Sequence, residues 1–336
     1  MQDNDSRISD QKEVTARELT ADAGYDSQEP ADRMNQAPLP AIQEMQRSIS
    51  QMSGRLRYTL TNDYLFRAVF QTNQKVLKGL LASVLHLEPE DIQKLVILNP
   101  ILLGQTMNEK TCILDLYLLM NDHTRINIEM QVAPKSYYRD RTLLYTGRAY
   151  DSLERGAEYG LLRPVVHISL LAEPPRTGKK KFYSEWMMLD IEDQEIFSRN
   201  FRIIVVQLKE NKQAKEREIN SGLAQWARLF LAETWEELQE IIKESDWMAE
   251  TVYTLRNLTE DEKIRLECEA RERYEHEQAS LYGSGLREGR EEGRLEEQKN
   301  TERERRRAET AEAELARLYA ILKAHDIPVD EANVFN

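Results

Sequence analysis

Along "TNDYLFRAVFQTNQKVLKGLLASVLHL" apolar residues recur at helical spacing, notably Leu65, Val69, Leu77, Leu80 and Leu81, which predicts helix from the low sixties to the high eighties. Thr61 or Asn62 is placed to cap it, and "QTNQ" to break it. Downstream the period changes. A short strand is predicted near 95–98, with an extended turn at Pro100. "ILDLYLLMNDHTRINIEMQV" (113–132) reads as two strands joined by a turn at "NDHT". "APKSYYRDRTLLYTGRAYDSLERG" reads as an amphipathic helix, with Pro134 suited to its beginning and Gly156 to its end. "RPVVHISLL" is a continuous apolar run, a buried strand, and "FYSEWMMLDI" and "RNFRIIVVQL" supply two more. The order predicts a mixed α/β domain.

The flanks differ from this middle. Residues 1–53 are rich in Asp, Gln, Ser, Glu and Pro without a sustained apolar period, and are expected to be disordered or loosely ordered, with a short helix near 41–52. The globular part is expected to start near Leu56. From about 217 the pattern is helical: "LAQWARLFLAETWEELQEII" is strongly amphipathic. From 260 to 312 large apolar residues thin out while Glu and Arg dominate, the pattern of a solvated, weakly stable helix, and "AELARLYAILKAH" (313–325) regains an apolar stripe suited to pairing with another helix. The expected divisions are 1–53, an α/β domain at 54–211, a helical extension at 212–258 and a charged helical tail at 259–336.

Charge sharpens this division. The chain of 336 residues carries a formal net charge of −13, distributed as −5 over 1–53, +2 over 54–211 and −10 over 212–336. Only the middle segment meets a polyanion without net repulsion. Only Cys112 and Cys268 occur, which excludes a disulfide framework and a Cys-rich zinc site and fits a reducing, cytoplasmic setting. No apolar run is long enough to span a bilayer, and "MQDNDSRISDQKEV" has neither the basic nor the apolar region of a secretory signal.

Candidate chemistry lies in the paired strands. Residues two apart on a strand share a face, so Ile126, Ile128, Met130 and Val132 share one face and Arg125, Asn127, Glu129 and Gln131 the other. Asp115 sits in the apolar run of the preceding strand. A hairpin turning at "NDHT" brings Asp115 close to Glu129 across the ladder. Two carboxylates so placed repel, and a hard divalent ion is the economical compensation.

Asp115, then thirteen residues, then Glu129-x-Gln131 resembles the motif of the PD-(D/E)xK nuclease superfamily. The chain more narrowly resembles the Rpn group, the recombination-promoting nucleases often labelled transposases, from about 58 to 210. "NDYLFRAVF" is similar to that group's opening signature, with Asp63, Phe66 and Arg67 in the matching places. "YRDRTLLYTGRAYDSL" looks like the helix after the core hairpin, with Arg141 and Tyr145 matching, and "YGLLRPVVHISLL" like the next strand. The resemblance implies a restriction-endonuclease-like fold, a mixed sheet flanked by helices with a charged helical C-terminal extension. It also implies Mg²⁺ (or Mn²⁺)-dependent hydrolysis of DNA linked to recombination or mobile elements. Asp115 and Glu129 would hold the ion with the Met130 carbonyl, and Asp63 would add an acidic group from the first helix. Gln131, where the superfamily usually has Lys, would orient water without supplying charge. Arg141 would restore part of that charge, with Arg67 a second DNA contact.

Simpler roles exist for several of these residues. Asp63 is placed to favour a helix dipole, and Arg141 to form a salt bridge with an acid on its own helix. Tyr138 and Tyr145 suit packing, His167 is expected to be a core residue, and "TGKKKF" (177–182) a solvated hairpin tip. The alternatives to an endonuclease are a catalytically weak nuclease fold that binds DNA or protein, and an assembly scaffold with the C-terminal helices forming a homo-oligomer.

Overall fold

The computed structural model describes residues 40–102, 112–151, 158–175 and 178–324. Its centre is a six-stranded mixed sheet in the order β1-β4-β5-β6-β8-β7. The strands are β1 (Leu95–Ile97), β4 (Leu116–Met120), β5 (Thr124–Gln131), β6 (Val165–Leu171), β7 (Tyr183–Leu189) and β8 (Ile196–Gln207), and a separate short pair joins β2 (Ile101–Leu102) to β3 (Cys112–Ile113). β4 and β5 form the expected antiparallel hairpin, from Leu116↔Ile128 to Met120↔Thr124. Its turn places Asn121 and Asp122 at φ 52° and 56°, a left-handed conformation that Asn and Asp tolerate better than other side chains. β5 to β6 and β6 to β8 are parallel, which leaves β5 and β6 interior to the sheet.

Both sheet faces are covered. One carries Ile126, Ile128 and Met130 of β5, Val166, Ile168 and Leu170 of β6, and Ile204 and Val206 of β8, all in the main hydrophobic core. Helices α1 (Ile42–Ile49), α2 (Asp63–Thr72) and α3 (Gln74–Leu85) share this core with α6 (Leu223–Leu231), α7 (Trp235–Ile241) and α8 (Asp246–Glu260). Its aromatic centre brings Phe70 within 6.0 Å of Trp226, ring to ring. The opposite face is covered by α4 (Tyr138–Tyr150), which buries Tyr145 and Ala149 against Tyr117 and Val165 at one end and Tyr138 with Leu171 and Val205 at the other. The architecture is restriction-endonuclease-like: a mixed sheet between helices, followed by the long helix α9 (Glu262–Ala324).

Several boundaries differ from those expected. The break at "QTNQ" is a single residue: Asn73 ends α2, and its side chain accepts the Val76 N–H to start α3. Asn62 caps α2 by accepting the Leu65 N–H. α4 is shorter than expected, and Gly156 lies outside the described residues, as do residues 1–39, Thr177 and 325–336. Within the 1–53 segment α1 is not loose: Met45 and Ile49 are fully buried. The amphipathic stretch after 217 comprises short α5 (Glu216–Asn220), α6 and α7, with Thr234 and Glu237 forming a capping box at the start of α7. The core also crosses the expected boundary at 211/212, because Trp226, Phe230, Leu238 and Leu255 pack in the same cluster as the sheet. One compact unit extends to Arg271 and a second begins at Glu272.

Candidate active site

Asp115 is not inside a strand as expected. It occupies the bend before β4, where the chain leaves its pairing with β2 and joins β5. The reason is local. The Asp115 carboxylate itself accepts the Met130 N–H, at 2.9 Å from Oδ2, so the side chain does what a ladder carbonyl otherwise does. Asp115 lies one step beyond the Leu116↔Ile128 pair, which sets it beside Glu129.

Glu129 is buried, at 3 % exposure. Arg141 Nη2 of α4 donates to its Oε2 at 3.1 Å, and Asn127 Nδ2 donates to its Oε1 at 3.3 Å. Arg141 thus pairs with a strand acid rather than one on its own helix, and its guanidinium also lies 5.4 Å from the centre of the Tyr145 ring. Burial pushes the Glu129 carboxyl above its ordinary range, and Asp115 adds to that rise, while Arg141 and Asn127 oppose it. Burial likewise raises Asp115, opposed first by the Met130 N–H, and the charge of Asp63 raises it further, while Arg67 and Arg141 oppose. The fold therefore brings Asp63, Arg67 and Arg141 into electrostatic reach of Asp115, and Asp115 and Arg141 into reach of Glu129.

Asp63 opens α2, and both its oxygens are held by Arg271 of α9, with Nε to Oδ1 at 2.8 Å and Nη2 to Oδ2 at 2.6 Å. The Arg67 guanidinium lies 5.8 Å from the centre of the Tyr64 ring. Gln131 ends β5, half-buried, and its Nε2 has no hydrogen-bond partner among the described residues. Arg271 escaped sequence reasoning, since nothing sets it apart from the other arginines of an Arg/Glu-rich helix. Asn127 and His167 were visible only as a polar-face residue and a core residue, because their adjacency depends on β5 pairing with β6.

Among the described residues no three His, Cys, Asp or Glu side chains are grouped to hold a metal ion. What is present is two neighbouring carboxylates, of which Glu129 is paired with Arg141. That all-oxygen set fits an ion such as Mg²⁺, which typically takes one or two carboxylates and completes its shell with water and phosphate oxygens. It does not fit a closed protein cage.

The sequence profile described as PD-(D/E)XK nuclease family transposase matches residues 60–284. No curated protein and no solved structure matches the chain. The matched span takes in the sheet, α2, α4, the helices to α8 and the first turns of α9, and so every residue assembled above. Among the described residues no helix is long and apolar enough to cross a membrane.

Proposed function

Since the chain belongs to the PD-(D/E)XK nuclease family transposases, we propose that it is a divalent-metal-dependent DNA endonuclease whose metal site is formed by Asp115, Glu129 and the Met130 carbonyl. The observation that carries this reading is the pair of neighbouring acids, Glu129 near the end of interior strand β5 and Asp115 in the bend beside it, each raised by burial and Glu129 raised further by Asp115. A fold that keeps such a pair carries an electrostatic cost that a bound cation removes. When bound, Mg²⁺ or Mn²⁺ supplies polarisation of the scissile phosphate and a more acidic water.

The chain's own residues do the rest. Asp115 and Glu129 present hard oxygen donors, and Asn127 keeps Glu129 oriented. Gln131, with an amide N–H that has no hydrogen-bond partner among the described residues, orients water or a phosphate oxygen but adds no charge. Arg141 neutralises Glu129 in this structure and is the nearest cation to take over phosphate as substrate arrives, with Arg67 on α2 a second contact. Asp63 supplies the remaining acid, fixed by Arg271. The cellular role is recombination or element mobility, in the cytoplasm. The test is conversion of supercoiled plasmid to nicked or linear DNA with Mg²⁺ or Mn²⁺. Cleavage that stops in EDTA supports the reading, and cleavage unaffected by EDTA contradicts it.

A further inference from the structure

Between the two apolar clusters under α4 lies a strip of polar groups of which the proposed chemistry uses only Asn127. The parallel register of β5 and β6 sets Asn127 opposite His167 and Glu129 opposite Ser169. Asn127, His167 and Ser169 are each at most 1 % exposed. Asn127 Nδ2 reaches His167 Nδ1 at 3.0 Å as well as Glu129 Oε1, and His167 Nε2 reaches Ser169 Oγ at 3.0 Å.

The chemistry of the amide fixes the direction of this chain. The Asn127 NH₂ has two hydrogens and no acceptor. With Glu129 ionised, as a metal ligand must be, turning the amide over would set its oxygen against the carboxylate, acceptor against acceptor. With NH₂ inward, one hydrogen goes to Glu129 and the other to His167 Nδ1, which must be unprotonated. His167 is therefore the neutral Nε2–H tautomer and donates to Ser169. Burial supports this, pushing the imidazole down to about 3. The arrangement leaves Asn127 Oδ1 buried with no hydrogen-bond partner among the described residues, a destabilising feature.

We propose that Asn127, His167 and Ser169 form a built support that aims Glu129 at a divalent cation, with His167 the positioning residue that acts through Asn127. This rests on the metal-site reading given above. Hydrogen-bonded partners behind metal ligands commonly set affinity, and their loss typically costs about 10–100-fold.

The test is Mn²⁺ binding to the full chain by calorimetry, for wild type, Glu129→Gln, His167→Leu and His167→Gln. His167→Leu is expected to weaken Mn²⁺ by about 10–100-fold. His167→Gln is expected to restore most of that loss, since its amide oxygen accepts from Asn127 and its amide N–H donates to Ser169. Equal Mn²⁺ affinity in wild type and His167→Leu overturns this proposal alone. No Mn²⁺ binding by wild type overturns the metal-site reading and this proposal with it. Should His167→Leu not fold, ¹⁵N spectra of histidine-labelled wild type in saturating Mg²⁺, with Glu129 ionised, decide independently of any variant. A neutral Nε2–H signal for His167 supports the support chain, and an Nδ1–H tautomer overturns it.

Discussion

At Asp115 and Glu129 the protein holds two acids where burial favours the protonated forms, helped at Glu129 by Asp115 and at Asp115 by Asp63. The sign of the pH dependence follows. Both folded-state pKa values are raised, so the stability they contribute is fully present below the unfolded carboxylate range, at roughly pH 4, and is lost as pH rises through the folded values. In EDTA, Asp115→Asn is expected to be more stable than wild type at neutral pH by about 1 kcal/mol, or about 2–4 °C in melting temperature for a domain of this size, and to lose that advantage in acid. Added Mg²⁺ should raise the wild-type melting temperature more at pH 8 than at pH 5, because ligands must be deprotonated. A Mg²⁺ shift of equal size in Asp115→Asn would remove Asp115 from the site. Gln131 makes a separate prediction. Gln131→Leu should cleave plasmid roughly 10²-fold more slowly, and Gln131→Lys at least as fast as wild type, since a cation there adds electrostatic stabilisation of the transition state. Wild-type rates in Gln131→Leu would leave this residue without a catalytic role. The alternation of "RINIEMQV" already placed Glu129 and Gln131 on one face, but not that α4 covers this face, which makes Glu129 a buried acid rather than an exposed one.

Among the elements, the periodic ones were legible and the hinges between them were not. β6, a continuous apolar run, is a strand buried along its whole length. The hairpin at "NDHT" has the expected pairing. Asp115 eluded the pattern because its carboxylate replaces a backbone acceptor, and nothing in the spacing of apolar residues encodes that exchange. Asn73 is a second hinge whose weight shows only in the fold. Besides capping α3, its side chain donates to Glu250 Oε1 and Thr254 Oγ1 of α8, both at 3.1 Å. Asn73→Ala removes a cap and leaves buried acceptors short of a donor, so a loss of about 2–3 kcal/mol is expected in urea unfolding. A loss under about 0.5 kcal/mol would show that Lys75, which also pairs with Glu250, carries that junction alone. The start of α9 is tied to α2 by Arg271 and Asp63. In a double-mutant cycle, Arg271→Gln and Asp63→Asn should be non-additive by roughly 0.5–3 kcal/mol, and strict additivity would mean that the pair contributes nothing in solution.

The whole molecule divides where the core ends, and the composition shift near 212 marks only where strands give way to helices. Trp226, Phe230 and Leu255 lie beyond that shift yet share the sheet's core, so a chain ending at 211 is expected to be unfolded by circular dichroism. A chain ending at Arg271 should fold and keep metal-dependent activity. Residues 272–336 carry a net −5, and their removal should leave nonspecific DNA binding at least as tight at low salt. Leu315, Leu318 and Ile321 of α9 are exposed apolar positions. If they pair between copies, light scattering will give a larger mass for the full chain than for the one ending at Arg271, and equal protomer numbers would exclude that role. The most direct measurement is cleavage of supercoiled plasmid in Mg²⁺ by matched preparations of wild type and Asp115→Asn, both verified as folded. The metal-site account predicts nicked or linear DNA from wild type and a rate at least about 10³-fold lower for the variant, comparable to the loss of a catalytic electrostatic group. Equal rates from the two proteins would contradict it.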